Sequence, residues 1–373
     1  MKRVLMAMSG GIDSSVSALL LKRQGYDVHG VLMKNWDHGE EGVECSYEKD
    51  FRDVDWVCHK IGIEYSVIDF TAEYWNYVFQ PYLASYNHGH TPNADVLCNK
   101  YIKFNFLMKQ LPVFSASYLA TGHYARMDGV KLIKGKDPTK DQSYFLSLTD
   151  PLAFSKVLFP VGNMLKSEVL QIAREENFNP ILARKESMGL CFVGKRKKFH
   201  RFLSQYIPYN PGSAFSLENV YVGTHIGYQF YTIGQRARLQ GHHKGMYVVA
   251  KDAVSNSIYV VYDYNHPAMY SDSFTIEFPS WIIIEDFPIL CTVMTRYTSD
   301  ATYCILSMYG DDKVHVECLF DSIRAVTPGQ VAVFYLGDVC LGGSVILSRK
   351  IQNYGIQDTF IDSVVNEQKI SVV

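Results

Sequence analysis

Residues 4–15 read VLMAMSGGIDSS, an apolar run that stops in two adjacent glycines and resumes as an acid and two hydroxyls. This stretch restricts the fold more than any other. A buried strand that turns through glycines into a helix belongs to open α/β sheets, where ligands collect beyond the carboxyl ends of the strands. Gly10 and Gly11 let the backbone turn tightly and come close to a ligand. Asp13, Ser14 and Ser15 would begin the helix, where unpaired N–H groups and the positive dipole end favour an anion. The two common phosphate fingerprints are absent: no lysine follows the glycines as in GxxxxGK[ST], and there is no GxGxxG. An acid beside an anion site suggests that Asp13 is a Mg2+ ligand. An ordinary strand–turn–helix with Asp or Ser as its cap fits the same residues equally well.

The pattern that follows agrees with such a sheet. Strands are predicted at 4–8, 28–33, 63–70 and 118–121, with helices at 14–24 and 48–61 between them, each closed by a glycine. Alternation of this kind gives an α/β fold with a mostly parallel sheet. The glycine loop, Met33 and Gly122-His123 all fall at carboxyl ends of predicted strands, so three stretches converge on one crevice. From about 205 the texture changes to short aromatic and β-branched runs without helices, at 221–222, 228–233, 246–250, 258–262, 281–284, 291–296, 314–319, 330–335 and 344–347. These imply two small β-rich domains, the last a β-barrel. The expected division is 1–204, 205–274 and 275–350, followed by a polar, loosely held tail at 351–373.

At 373 residues, 47% of them hydrophobic, the chain can fill the cores of two or three domains. Its net charge of −2 gives no overall attraction to nucleic acid, so a polyanion would have to be held by local basic patches. No membrane partner is expected, because no run approaches the roughly eighteen apolar residues of a span. The start, MKRVLMAMSGG, reads as neither a signal peptide nor a good transit peptide. The eight cysteines include no CxxC pair, and His242 and His243 lack ligand company. No zinc or iron–sulfur cluster is therefore expected, and most cysteines read as small buried hydrophobes in a reducing compartment.

Two cysteines stand out locally. Cys98 follows the turn formers of Thr91–Val96 (TPNADV), which places it on a loop or helix start. Cys191 lies in ESMGLCFVG, bracketed by glycines and followed by the basic run Lys195-Arg196-Lys197-Lys198. A cysteine near cations or a helix N-terminus gains thiolate character. Read alone, each is more readily a buried structural thiol.

The loop Ser9–Ser14 (SGGIDS) resembles that of the PP-loop ATP pyrophosphatases, which cleave ATP between its α and β phosphates and place AMP on a substrate oxygen. Such a loop cradles the departing pyrophosphate and needs no transferring lysine. TPNADVLCNKYIKF and SMGLCFVGKR, with ATGHYAR, KDQSYF, FPVG, YTIGQR, AVTPGQVAVFY and CLGG, are together similar to the tRNA-specific 2-thiouridylases (the MnmA/TrmU family), in order from residue 4 to about 348. The resemblance implies ATP and Mg2+ as cofactors, with Ala7, Met8, Ser9, Gly10, Gly11, Ile12, Asp13, Ser14, Met33 and Gly122 at the nucleotide. It implies Cys98 as nucleophile, Cys191 as persulfide carrier and Asp95 as proton-transfer group, the two cysteines ending as a disulfide. It implies tRNA contacts at Asn93, Ala94, Asp95, His123, Lys140, Asp141, Gln142, Arg296, Tyr297 and Gln330. The partners would be tRNA, thiolated at the wobble uridine (position 34) of those for Lys, Glu and Gln, and a sulfur donor, either a cysteine desulfurase or a sulfur-relay protein.

Two departures from the family pattern matter. Ala94 replaces the usual proline of TPNPD, and ARLQGHHKG (237–245) replaces a glycine-rich stretch to which no contact is assigned. Glu186 in KESMGLC is closer to the eukaryotic mitochondrial branch, which makes the mitochondrial matrix the expected compartment and bacterial cytoplasm the alternative. Another PP-loop adenylating enzyme, such as an argininosuccinate or GMP synthetase, would explain the loop but neither the cysteine pair nor the β domains. An idle nucleotide- or RNA-binding module would leave Asp13, Asp95, Cys98 and Cys191 without a purpose.

Overall fold

A computed structural model describes residues 1–36, 46–184, 199–239, 245–283, 285–351 and 358–360. The first strands and helices are β1 (Arg3–Met8), α1 (Ile12–Arg23), β2 (Asp27–Lys34), α2 (Ser46–Ile61), β3 (Glu64–Asp69) and β4 (Tyr118–Ala120). With Val157–Leu158 the strands form a five-stranded sheet in the order β3-β2-β1-β4-(Val157–Leu158), all parallel. The chain moves outward from β1 to β3, then crosses to the other side of β1 to lay down β4. The crevice between the ends of β1 and β4 is thus the switch point at which such sheets bind ligands.

The continuous apolar run at 4–8 is what a strand covered on both faces requires. Val4, Met6 and Met8 pack on one side with Val16, Leu32, Val54 and Val57. Leu5 and Ala7 pack on the other with Val31 and Leu119. That second core continues through Tyr74, Phe79, Ile102 and Phe104 into Met246 and Val248 and on to Val331, Val333 and Tyr335. One hydrophobic core therefore joins the sheet to everything that follows it.

Between β3 and β4 the chain is helical, which the sequence did not announce. Gln80–Asn87 is an α-helix, preceded by a π-helical turn at Trp75–Phe79, and a short α-turn at Ala94–Leu97 runs into a π-helix at Cys98–Phe106. A second unannounced element is the hairpin Ala125–Asp128 with Lys131–Lys134, whose Ile133 pairs with Val339 of the last long strand. The first domain thereby adds two strands to the sheet of the last.

The central region holds a five-stranded sheet in the order (Arg236–Ala237)-(Met246–Asp252)-(Ser257–Val261)-(Gly212–Phe215)-(Tyr221–His225). The strand expected at 228–233 is instead a 3-10 turn at Tyr228–Phe230, entered through Gly227 at φ +135°. Beyond it, Ser273–Glu277, Lys313–Cys318, Thr302–Tyr309, Ile289–Met294, Val331–Leu336 and Val339–Arg349 pair in that order. Val339–Arg349 pairs back onto Ser273–Glu277, which closes a six-stranded barrel.

The described part of the tail is not loose. Asp358 accepts from the Lys251 backbone N–H at 3.1 Å and from Arg349 Nε at 2.8 Å, Thr359 bridges to Asp252, and the Phe360 ring lies 4.6 Å from that of His90. These contacts strap the end of the barrel to the central sheet and to the loop before Thr91.

Candidate active site

The loop after β1 is tied by its own hydroxyls. Gly11 is the N-cap of α1, and the Ser14 and Ser15 hydroxyls donate to its carbonyl at 2.9 and 2.8 Å. Ser14 Oγ also accepts from the Ser9 N–H at 3.2 Å, and Ser9 Oγ accepts from the Gly11 N–H at 3.3 Å. Gly10 sits at φ +69°, a conformation that needs glycine. Ser9 is exposed while Ala7, Met8, Gly10 and Ser14 are buried. The result is a preformed turn at the positive end of a twelve-residue helix.

Asp13 is committed to partners. Lys166 Nζ reaches its two oxygens at 2.7 and 2.9 Å, and the Tyr124 hydroxyl donates to Oδ1 at 2.7 Å. Lys166 opens the helix Lys166–Glu175, and its backbone N–H donates to Asp137 Oδ2 at 2.8 Å, so its position is fixed. Sequence reasoning missed this lysine, which stands 153 residues from its partner. The FPVG motif lying just before it is the signal that marks the region. Among the described residues no group of three or more His, Cys, Asp or Glu side chains is placed to hold a metal ion.

Gly122, at the end of β4, touches the same loop. A Cβ there would stand 2.7 Å from Ser14 N and 2.9 Å from the Asp13 carbonyl carbon, so only glycine admits this approach. Arg184 closes the opposite side: Nη1 donates to the Gly10 carbonyl at 3.1 Å and to Asp53 at 3.0 Å, and Nη2 pairs with Asp50. It too escaped the sequence reading, since neither spacing nor motif links it to Gly10.

The nucleophile candidate lies on the neighbouring helical segment. Asn93 caps the turn Ala94–Leu97, its Oδ1 accepting from the N–H groups of Asp95 and Val96 at 3.1 and 3.3 Å. Ala94 is buried, so the missing proline leaves a filled and capped turn. Cys98 is buried, 6% exposed, at the junction between that turn and the π-helix. Insertions of π-helix mark functional positions often. Burial pushes the Asp95 carboxyl above its ordinary range, with Lys103 opposing, which suits a group that must both hold and release a proton. Next to Cys98, Asn99 donates to the Phe145 carbonyl at 3.1 Å while its buried Oδ1 has no hydrogen-bond partner among the described residues.

The residues expected at tRNA are placed unevenly. His123 is 8% exposed and packs between the rings of Phe104 and Phe159, with Nδ1 2.7 Å from Thr121 Oγ1. Arg296 donates to the carbonyls of Ile233 and Ala325 and to Thr327 Oγ1, fastening the central sheet to the barrel. Tyr297 lies against Phe145, ring centroids 4.5 Å apart. Gln330 donates to the Thr91 carbonyl at 2.7 Å and thus holds the start of the TPNAD stretch. Asp141 accepts from Gly135 and Ser143, and Gln142 from the Tyr124 N–H. Lys140 is half-buried beside them. Ile12 and Met33 are half-buried at the ends of their elements. Cys191, Glu186 and the basic run Lys195–Lys198 lie outside the described residues, as do His242 and His243.

Comparison with known proteins agrees with this arrangement. Residues 2–195 match the family model described as the tRNA methyl transferase HUP domain, 200–262 the tRNA methyl transferase PRC-barrel domain, and 271–346 the aminomethyltransferase beta-barrel domain. The chain is 44% identical over 354 residues to the tRNA-specific 2-thiouridylase MnmA of Bacillus velezensis and, over as many, to that of Bacillus subtilis, in each case across 92% of this chain and 94% of the relative. The MnmA of Chlamydia trachomatis is 44% identical over 352 residues, 92% of this chain and 97% of that one. Among solved structures, a 4-thiouridine synthetase in complex with RNA and bound ATP superposes at a TM-score of 0.36 and 15% identity, over 56% of this chain and 50% of that one. Matched along 92% of its length by relatives of one kind, the chain belongs to the tRNA-specific 2-thiouridylase family, with a PP-loop, HUP-type domain at its front.

Proposed function

We propose that this protein thiolates tRNA at the wobble uridine, position 34, of the tRNAs for Lys, Glu and Gln, at the expense of ATP. The observation that supports the reading is a preformed anion loop at the switch point, abutted by Gly122, whose neighbour His123 lies 3.5 Å from Lys103 on the helix that starts at the buried Cys98. Uracil O2 is a poor leaving group and AMP a good one, so adenylation comes first. The loop Ser9–Ser14 and the α1 N-terminus hold the departing pyrophosphate, and Lys166, now on Asp13, stands ready as a cation beside it. Ala7, Met8, Met33 and Gly122 shape the nucleotide pocket. A Mg2+ ion would be carried by the phosphates and water with Asp13 as its one carboxylate, neutralising phosphate charge.

Sulfur then arrives as a persulfide on Cys191. Its terminal sulfur bonds to C2 as AMP departs. The Cys98 thiolate attacks Cys191 Sγ, the S–S bond to the transferred sulfur breaks, and the electron pair completes the thiocarbonyl. The products are 2-thiouridine and a Cys98–Cys191 disulfide, which an external thiol must reduce. Asp95 takes up the proton released at the nucleophile. The persulfide comes from a cysteine desulfurase or a sulfur-relay protein. Asn93–Asp95 meet the target base, and Lys140 with Asp141, Gln142, Arg296, Tyr297, His123 and Gln330 form or support the surface on which tRNA lies. The working division is 1–204 for chemistry and 205–274 and 275–350 for tRNA, with residues 358–360 of the tail 351–373 as a strap. The three relatives named above are bacterial, which favours bacterial cytoplasm over the mitochondrial matrix as the compartment.

The test is to incubate the purified protein with unmodified tRNA, ATP and a persulfide donor, then digest the tRNA and weigh its nucleosides. The expected result is 2-thiouridine at position 34, with AMP and pyrophosphate formed only when tRNA is present. AMP formation without tRNA, or an unmodified nucleoside, overturns the reading.

A further inference from the structure

Resting on the thiolation reading only for the identity of the nucleophile, we propose that Lys103 is a positioning residue of that centre: its ammonium, seated on His123, is the fixed cation set over Cys98 and toward Asp95. The placement follows from the helix type. Cys98–Phe106 is π-helical and is closed by a bond from Leu107 N to Ile102 O, five residues back, at 2.8 Å. In such a helix, with about 4.4 residues per turn, residues five apart lie only about 50° apart round the axis, which puts Lys103 one turn from Cys98 on the same face. In an α-helix the fifth residue on would lie about 140° away round the axis. The unusual helix therefore has a consequence for charge.

His123 anchors the lysine. Its Nε2 lies 3.5 Å from Lys103 Nζ and its Nδ1 2.7 Å from Thr121 Oγ1. Burial first, and Lys103 second, hold this imidazole well below its ordinary range, so it is neutral. A neutral ring next to an ammonium accepts at Nε2 and donates its Nδ1–H to the threonine. It fixes the position of the lysine without competing for its charge.

The carboxyl that this charge reaches is Asp95. Burial pushes its carboxyl up, and Lys103 is the opposing influence. Among the described residues Tyr82, from the helix Gln80–Asn87, also faces Asp95, and burial raises its phenol well above the ordinary value. In a partly dry pocket a fixed cation at Lys103 favours the charged forms of Asp95 and Cys98.

The experiment compares Lys103→Met and Lys103→Arg with the wild type in two assays. One is peptide-resolved alkylation of Cys98 by iodoacetamide across pH, without ATP or tRNA. The other is single-turnover thiolation across pH. Removal of the charge is expected to move the Cys98 alkylation midpoint and the acidic limb of the thiolation profile upward by about one pH unit. Arginine should restore most of both. An unmoved midpoint together with a lower rate overturns the proposal, because a purely structural lysine gives that result. So does weaker tRNA binding with a flatter salt dependence and an unchanged pH profile, which would make Lys103 a phosphate contact. If Lys103→Met does not fold, Lys103→Gln removes the charge and keeps a donor for His123. An enzyme that alkylates as expected yet never thiolates tRNA refutes the functional reading instead.

Discussion

Replacing Gly122 by alanine tests whether β4 positions the nucleotide loop. The new methyl carbon would stand 2.7 Å from Ser14 N and 2.9 Å from the Asp13 carbonyl carbon, both backbone atoms that cannot swing aside. Ordinary contact begins near 3.4 Å, so the loop or the strand end must shift by about 0.7 Å, the difference between 3.4 and 2.7. Overpacking of this kind costs about 1–3 kcal/mol of stability. That lowers the melting temperature by a few degrees without unfolding the chain. A displacement approaching 1 Å at the group that holds the leaving pyrophosphate costs far more in rate, on the order of a hundredfold. Gly122 is not among the glycines with positive φ, so the effect is one of space and not of backbone strain. The assay is tRNA-dependent release of pyrophosphate from labelled ATP, with thermal melting alongside. A variant that melts lower but releases pyrophosphate at the normal rate would show that β4 does not set the loop, and the reasoning about this crevice would fail.

Asp13→Asn strips Lys166 of its countercharge; as the pair is only partly buried, the expected cost is about 1–2 kcal/mol by melting, whereas pyrophosphate release should nearly vanish. Cys191→Ser should lose the power to hold labelled persulfide sulfur yet still make AMP in the presence of tRNA, while Cys98→Ser should load the label and stall; normal thiolation by either variant refutes the assignment. The pH dependence of stability should carry the signature of Lys251, a buried lysine whose pKa burial lowers from 10.5 to about 8. Below pH 8 it is charged in both folded and unfolded chains and its burial cost is present in full; above pH 8 the unfolded chain binds the extra proton, so stability rises with pH. Relative to Lys251→Met, the wild type should therefore gain up to about 3 kcal/mol between pH 8 and 10.5 in denaturant melts, and parallel curves would refute the assignment.

The parallel sheet was legible because both of its faces are covered, so its strands appear as unbroken apolar runs ending in glycines or polar turns. The barrel strands were legible as short β-branched runs. What escaped the sequence depended on partners far away. Tyr228–Phe230 has strand-like composition, but Gly227 turns the chain and the Tyr228 hydroxyl reaches the Asn87 carbonyl at 3.2 Å, so tertiary contact overrides propensity. The aromatic segment 71–87 is helical for the same reason: Tyr74, Phe79, Tyr82 and Tyr86 fill one core instead of lining a sheet. A polar tail reads as loose, yet the single residue Asp358 binds Arg349, whose side chain is fully buried. At the site, the glycine loop, Cys98, Asp95 and Gly122 were visible as motif residues. Lys166 and Arg184 were not, and Lys103, though inside TPNADVLCNKYIKF, was given no role, because a lysine or arginine carries no mark of the carboxylate, carbonyl or imidazole it will meet.

In the proposed reaction, these three cations tie the nucleotide loop and the Cys98 helix into one framework. A loop that only bound nucleotide would need its own hydroxyls and the helix end, which Ser9, Ser14 and Ser15 supply. Here the Gly10 carbonyl is tied in addition to Arg184, 174 residues away, the last described residue before the stretch that carries Cys191. On the other side Thr121, Gly122 and His123 are consecutive, yet the glycine abuts Asp13 and Ser14 while the histidine holds Lys103. A movement of the loop as pyrophosphate leaves in that reaction would pass through Gly122 and His123 to Lys103, on the helix that bears Cys98.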